Sequence, residues 1–345
     1  MSGTTANRAP SGADEFDYTD RDLDRFREVQ QIAYWCAKTT ADWLDVGVTE
    51  KQAAAKLRRE LVRAGVQDFF HIPFAWFGHR SAFRRFRVPT QFFPTGKRLG
   101  VDMPFVVDCA PIIDGYTADI GYGGVFGSSE VWNGLDADLS VCRERVRELV
   151  DRGLTLDEVY RDIDDLIESQ GNDNRHKVYP GRVIGHRVTR LKGIGPGRLT
   201  MFGFGVRTLQ TLGREFIADR IKGRSPLWAD GRASRHAPTP GLWAVEPHLG
   251  RGDVGLKFEE LLVVTPDGAY WLDDDLPHVA RWKSRKPAKD RGQDKDKNTK
   301  QGKSTGKKQN EGKNQGANPN ANAKATGTAS AETVETAERA EETTA

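Results

Sequence analysis

The stretch FVVDCAPIIDGYTADIGYG, Phe105 to Gly123, sets two acids, Asp108 and Asp119, inside an otherwise apolar, strand-like pattern. Asp114-Gly115 between its halves is a two-residue hairpin signal, because a type I′ turn needs positive φ at both central positions. With those residues as the turn, Asp108 lies opposite Gly121, and Asp119 is its diagonal neighbour on the same face. Bare carboxylates so placed repel one another and shift their pKa values. A cation between them removes the conflict.

A similar pair lies further along the chain. LWAVEPHL carries Glu246, VGLKFEELLVVT carries Glu259, and the GRGD link invites a turn at Arg251-Gly252. That turn sets Glu246 opposite Lys257, with Glu259 its diagonal neighbour on one face. His186, in VIGHRV, sits on a short apolar strand. Four carboxylates and one imidazole form an oxygen-rich set whose charge matches two divalent cations of the Mn, Fe(II), Co or Zn type. Carboxylates that bridge two ions hold them roughly 3.5–4 Å apart, where a shared water becomes hydroxide and attacks a polarised carbonyl. Taken singly, each residue has a bland reading: a strand-end acid is usually solvated and a lone histidine is usually hydrogen-bonded.

The flanking sequence contains a repeat. VGVTEKQAAAKLRRELVRAG (Val46 to Gly65) and RGLTLDEVYRDIDDLIESQG (Arg152 to Gly171) align without a gap. Thr49 with Gln52 and Thr155 with Glu158 have capping-box spacing, and Gly65 and Gly171 sit where helix C-caps belong. Each repeat follows another helical stretch and precedes strand-like segments. Helix pairs also resemble one another by chance, so the case for duplication rests on the equal spacing and repeated caps. The pattern predicts an α/β (α+β) fold in which duplicated helix pairs cover one face of a shared, mainly antiparallel sheet.

The 345 residues, 37% of them hydrophobic, supply ample core. From Lys283 onward, Val334 is the only large aliphatic and there is no aromatic residue, so residues 283–345 are expected to be a disordered tail. The tail carries net +5 of the chain's +3, leaving the body slightly acidic. A nucleic-acid or ribosome contact is therefore open only to the tail, against the plainer reading of a solubilising extension. The expected organisation is a disordered 1–16, a body over 17–282 with pseudo-repeats at about 17–130 and 131–282, and the tail. Cys36, Cys109 and Cys142 form no CxxC pair, and no stretch reads as a signal peptide or membrane span. A soluble, cytoplasmic protein is expected. The glycines of GYGGVFG and GIGPG lack the setting of a phosphate loop. Trp35, Trp43, Phe69, Phe70, Trp76 and Phe77 read as packing rather than as a base-stacking platform.

The four acids and one imidazole, in order and spacing, resemble the ligand set of the M24 pita-bread metallopeptidases, the family of methionine aminopeptidase, Xaa-Pro aminopeptidase and prolidase. The resemblance covers roughly residues 20–275 and implies an internally duplicated pita-bread fold. Asp108 in VVDCAP resembles the first Asp, Asp119 in GYTADI the second, His186 in GHRV the histidine ligand, and Glu246 in VEPHL the glutamate of an EP strand. Glu259 in KFEELLVVTPDG resembles the last, bridging glutamate. The resemblance implies a peptide substrate, two Mn, Co or Fe ions (Zn being the alternative) and Glu246 as proton shuttle. DGYTADI and GLKFEELLVVTPDG are closer to the Xaa-Pro branch.

Three departures stand out. Gly193 occupies the place of a substrate-binding histidine. The nearest counterpart of a second histidine before the first Asp is His79, and the basic residue two before the last ligand is Lys257; both are taken here as catalytic candidates. The interval from His186 to Glu246 carries an added helix in FGVRTLQTLGREFIADRIKG, compatible with a reshaped pocket mouth, a homodimer contact or a tolerated insertion. The competing class is a pita-bread binding module that has lost peptidase activity.

Overall fold

The computed structural model describes residues 16–191, 200–201 and 203–285. The first helix pair is α1 (Asp20–Trp43) and α2 (Glu50–Arg63), and the second is α3 (Glu130–Asp151) and α4 (Leu156–Ser169). Thr49 and Thr155 close the expected capping boxes with Gln52 and Glu158. Gly65 and Gly171 follow the helices at φ +93° and +75°, a region in which a side chain is strained. Helix α5 (Val206–Ile221) lies in the interval between His186 and Glu246, and α6 (Pro277–Ser284) ends the described body. Arg281, Trp282 and Arg285 all bond the buried Asp136, so the body runs past residue 282.

Among the described residues all strand pairs are antiparallel. Strand Met103–Cys109 pairs with Phe74–Phe77 and Ile120–Phe126, and the largest sheet has five strands, among them Val183–Val188, Gly241–Val245 and Glu260–Thr265. Asp114 and Gly115 both take positive φ, and Asp108 faces Gly121 as the turn requires. The second hairpin differs from expectation. It turns at Gly252-Asp253, so His248, not Glu246, faces Lys257. Val245 pairs with Glu260 in the same register, which brings Glu246 directly across from Glu259. A slip of two residues keeps every side chain on its face, so the acids still converge.

The helix pairs organise two cores. Phe26, Tyr34 and Leu57 pack with Phe105, Val107, Leu242 and Leu261, while Leu139, Tyr160 and Ile163 pack with Trp243, Val245 and Leu262. Strand Gly241–Val245 therefore sends alternate residues into different cores and is covered on both faces, where the sequence reading placed both helix pairs on one. Its unbroken apolar run, LWAV, is the pattern of a strand buried on two sides. On Met103–Cys109, Val107 points to the first core, while Val106 faces a third cluster with Phe74, Trp76 and Phe83. Asp108 shares that second face. Cys36, Cys109 and Cys142 are buried and unpaired, but Trp35 and Trp43 are 59% and 41% exposed, so those two do not serve as packing. No helix among the described residues is long and apolar enough to cross a membrane.

Candidate metal centre

Asp108, Asp119, His186, Glu246 and Glu259 converge on the floor of one cavity. His71 and Lys257 join them. His71 Nε2 lies 3.1 Å from Asp119 Oδ1 and 3.3 Å from Asp108 Oδ1. His186 Nε2 lies 3.4 Å from the other oxygen of Asp119 and 3.8 Å from Glu259 Oε1. Two ligand-sized groups result, one of His71, Asp108 and Asp119 and one of Asp119, His186 and Glu259, each with its donor atoms within 4.8 Å of one another. Asp119 belongs to both, one oxygen to each.

Lys257 crosses the remaining oxygens. Its Nζ donates to Asp108 Oδ2 and Glu246 Oε2 at 2.8 Å and to Glu259 Oε2 at 2.9 Å. Its stem runs over Gly121, where a Cβ would lie 2.4 Å from Lys257 Cε; glycine at 121 opens the path. The ammonium also sits 5.3 Å from the centre of the Tyr179 ring. The Tyr179 hydroxyl pairs with His248 Nδ1 at 3.0 Å, and His248 Nε2 pairs with the Ser81 carbonyl at 2.8 Å. A carbonyl only accepts, so Nε2 carries the proton and Nδ1 accepts from the tyrosine. Burial and the Lys257 charge hold His248 well below the usual histidine range.

Helix α1 braces the last ligand. Tyr34 Oη donates to the Glu259 carbonyl at 2.7 Å, and Gln30, one turn earlier, accepts from the Leu261 amide at 2.8 Å.

Burial sets the electrostatics. It pushes Asp108 up to about 6 against the pull of Lys257 and His71, and with the Glu259 charge it pushes Glu246 up to about 8. Asp119 is held below its usual value because its two imidazoles outweigh burial. Lys257 is raised, its three carboxylates outweighing burial. The donor set fits divalent ions: four carboxylates and two imidazoles supply oxygen and nitrogen donors, and the imidazoles lie on oxygens of Asp108, Asp119 and Glu259 that Lys257 does not bond.

The sequence matches metallopeptidase family M24 over residues 24–266. The chain belongs to that family. Among solved structures, it is similar to the X-Pro aminopeptidase of Thermotoga maritima at 17% identity and TM-score 0.53, covering 75% of this chain and 62% of that one. The prolidase of Pyrococcus furiosus matches at 18% identity and TM-score 0.55, covering 75% and 65%. The dipeptidase PepE of Mycobacterium ulcerans matches at 17% identity and TM-score 0.54, covering 75% and 59%. The chain thus spans less than two thirds of the length of these structures. At these identities the likeness shows the fold, which is the pita-bread fold. No curated protein matches the sequence.

Within this M24 chain the expectation for His79 is corrected. His79 is exposed on the short 3-10 turn Gly78–Arg80 and does not border the cavity. The histidine beside Asp108 is His71, three residues before Phe74, the residue that pairs with Asp108. Residues 78–102 are inserted between the paired strands, which lengthens the sequence interval and made the nearer histidine look like the match. The available signal was a lone polar residue inside the aromatic run FFHIPFAWF. Gly193 lies outside the described residues, as do residues 1–15 and the tail beyond 285.

Proposed function

We propose that this protein is a metal-dependent peptidase of the aminopeptidase type, binding two divalent ions through His71, Asp108, Asp119, His186, Glu246 and Glu259. The observation that carries the reading is Asp119, whose two oxygens each face one histidine, on the floor of an open cavity. Mn, Co or Fe suits this mixed nitrogen and oxygen set, with Zn as the alternative. Such ions supply an acidified water and polarise the peptide carbonyl. Glu246 borders the cavity beside the other ligands, where a carboxylate would take up a proton and pass it to a leaving amine. Lys257 bonds one oxygen each of Asp108, Glu246 and Glu259, so the other oxygen of each would remain to hold an ion. Structures titled X-Pro aminopeptidase and prolidase support a peptide substrate. Three buried, unpaired cysteines support a reducing, cytoplasmic setting.

Lys257 also supports a second reading. Its ammonium contacts three of the four carboxylates, so the cage is partly neutralised without any ion, as a binding module would require. One experiment separates the two. Mn-loaded protein is incubated with a mixed peptide library and the products are followed by mass spectrometry beside Glu246→Gln. Cleavage by the wild type alone supports the peptidase; no product from any peptide would favour the binding module.

A further inference from the structure

The cavity above the cage is large and lined by rings. It measures about 490 Å³, within the range of roughly 300–1,000 Å³ typical of small-molecule sites. Nine of the described residues that border it are Phe, Trp or Tyr. Among the described residues outside the cage, the only charged one on its border is Arg187, whose guanidinium reaches Asp219 at 3.4 Å. The described part of the wall therefore offers a substrate no charge beyond the cage and this ion pair.

The aromatic wall is continuous with the reacting centre. His71 stacks on Phe74 at 5.2 Å, Phe74 on Trp76 at 5.5 Å, and Trp76 meets Phe83 edge-on at 4.8 Å. On the other side His186 stacks on Phe70 at 5.9 Å with the rings 7° apart. A group held against these rings is within one residue's reach of the cage.

More than half of the aromatic wall comes from two parts of this chain outside the paired ligand strands. The segment 78–102 supplies Phe83, Phe92 and Phe93, and the interval between His186 and Glu246 supplies Phe204, Phe216 and Gly213. Gly213 lies inside α5, where glycine is the poorest helix former after proline. A Cβ there would meet nothing within 4 Å, so the missing side chain leaves space on the cavity border.

We infer that this cavity selects peptides bearing a large aromatic side chain on the residue next to the scissile bond, in preference to proline or a small residue. An aromatic ring gains edge and face contacts with rings already in place, while a small residue leaves the volume unfilled. The inference rests on the peptidase reading for the reacting group, but the cavity's preference is separately measurable.

The test compares Mn-loaded wild type, Gly213→Leu and Phe93→Ala in two assays. In the first, kcat/KM is measured on matched peptides with Phe, Ala or Pro at the variable residue. The wild type should favour Phe by about 10- to 200-fold, and Gly213→Leu should lose that preference with helix content and metal count unchanged. Equal rates, or a preference for Ala or Pro, would overturn the inference while leaving the peptidase reading in place. In the second, phenylalaninamide and alaninamide are titrated with Trp fluorescence as the readout. Binding of phenylalaninamide alone, weakened in Phe93→Ala, supports the aromatic cavity even if no peptide is cleaved. If neither amide binds or both bind alike, the inference fails.

Discussion

Lys257→Met removes one positive charge from a cage of four buried carboxylates without changing the length of the stem. Lys257 is 4% exposed and makes three bonds of 2.8–2.9 Å, to Asp108, Glu246 and Glu259. Taking one partner out of such a buried network leaves uncompensated charge and costs about 3–5 kcal/mol. For a folded body of this size, 1 kcal/mol corresponds to about 2–4 °C in Tm, so the expected loss is about 6–20 °C. The condition matters, because carboxylates can escape the penalty by taking up protons. The measurement is therefore made in EDTA above the value of about 8 to which Glu246 is pushed. Lys257→Arg keeps the charge and controls for packing. Added Mn should narrow the gap between Lys257→Met and the wild type, since the ions supply the missing positive charge. Equal melting temperatures for Lys257→Met and wild type in EDTA would refute the argument that this ammonium compensates the cage.

Three further predictions follow from the same geometry. Asp119→Ala should lose both ions and His71→Ala one, by metal analysis after dialysis; retention of two tightly bound ions in His71→Ala would remove His71 from the ligand set. Tyr34→Phe deletes the donor to the Glu259 carbonyl and should cost about 1–3 kcal/mol in denaturant melts, with weaker metal binding as the sign that α1 positions the ligand rather than merely packing. His176, buried against Asp164 at 2.7 Å, is held below its usual 6.5 by burial. The unfolded chain then binds a proton that the folded chain does not, so stability is full above pH 6.5 and falls below it, by up to about 1.4 kcal/mol per pH unit. His176→Gln should flatten that acid slope, and identical slopes in the two proteins would show that His176 does not cause it.

Local rules made much of this protein legible. The capping boxes at Thr49 and Thr155 and the turn at Asp114-Gly115 depend on a few neighbouring residues, so spacing alone placed two helices and fixed Asp108 opposite Gly121. The convergence of Asp108, Asp119, Glu246 and Glu259 was legible because strand alternation preserves a face even when the register moves by two, as it did at Gly252-Asp253. His71 was not legible: its place beside Asp108 depends on an insertion between two paired strands, and insertion length carries no information about which histidine ends near the acid. Lys257 was a candidate from its place two before Glu259, but its bond to Asp108 was not legible, because it requires a path over Gly121 from a different hairpin. The aromatic cavity is the clearest case. Phe70 reads in the sequence only as packing, and Phe83, Phe92, Phe204 and Phe216, scattered along the chain, carry no sign there of a shared wall. Tertiary structure turned them into one wall, because a ring's role depends on whether its face meets another side chain or an open volume.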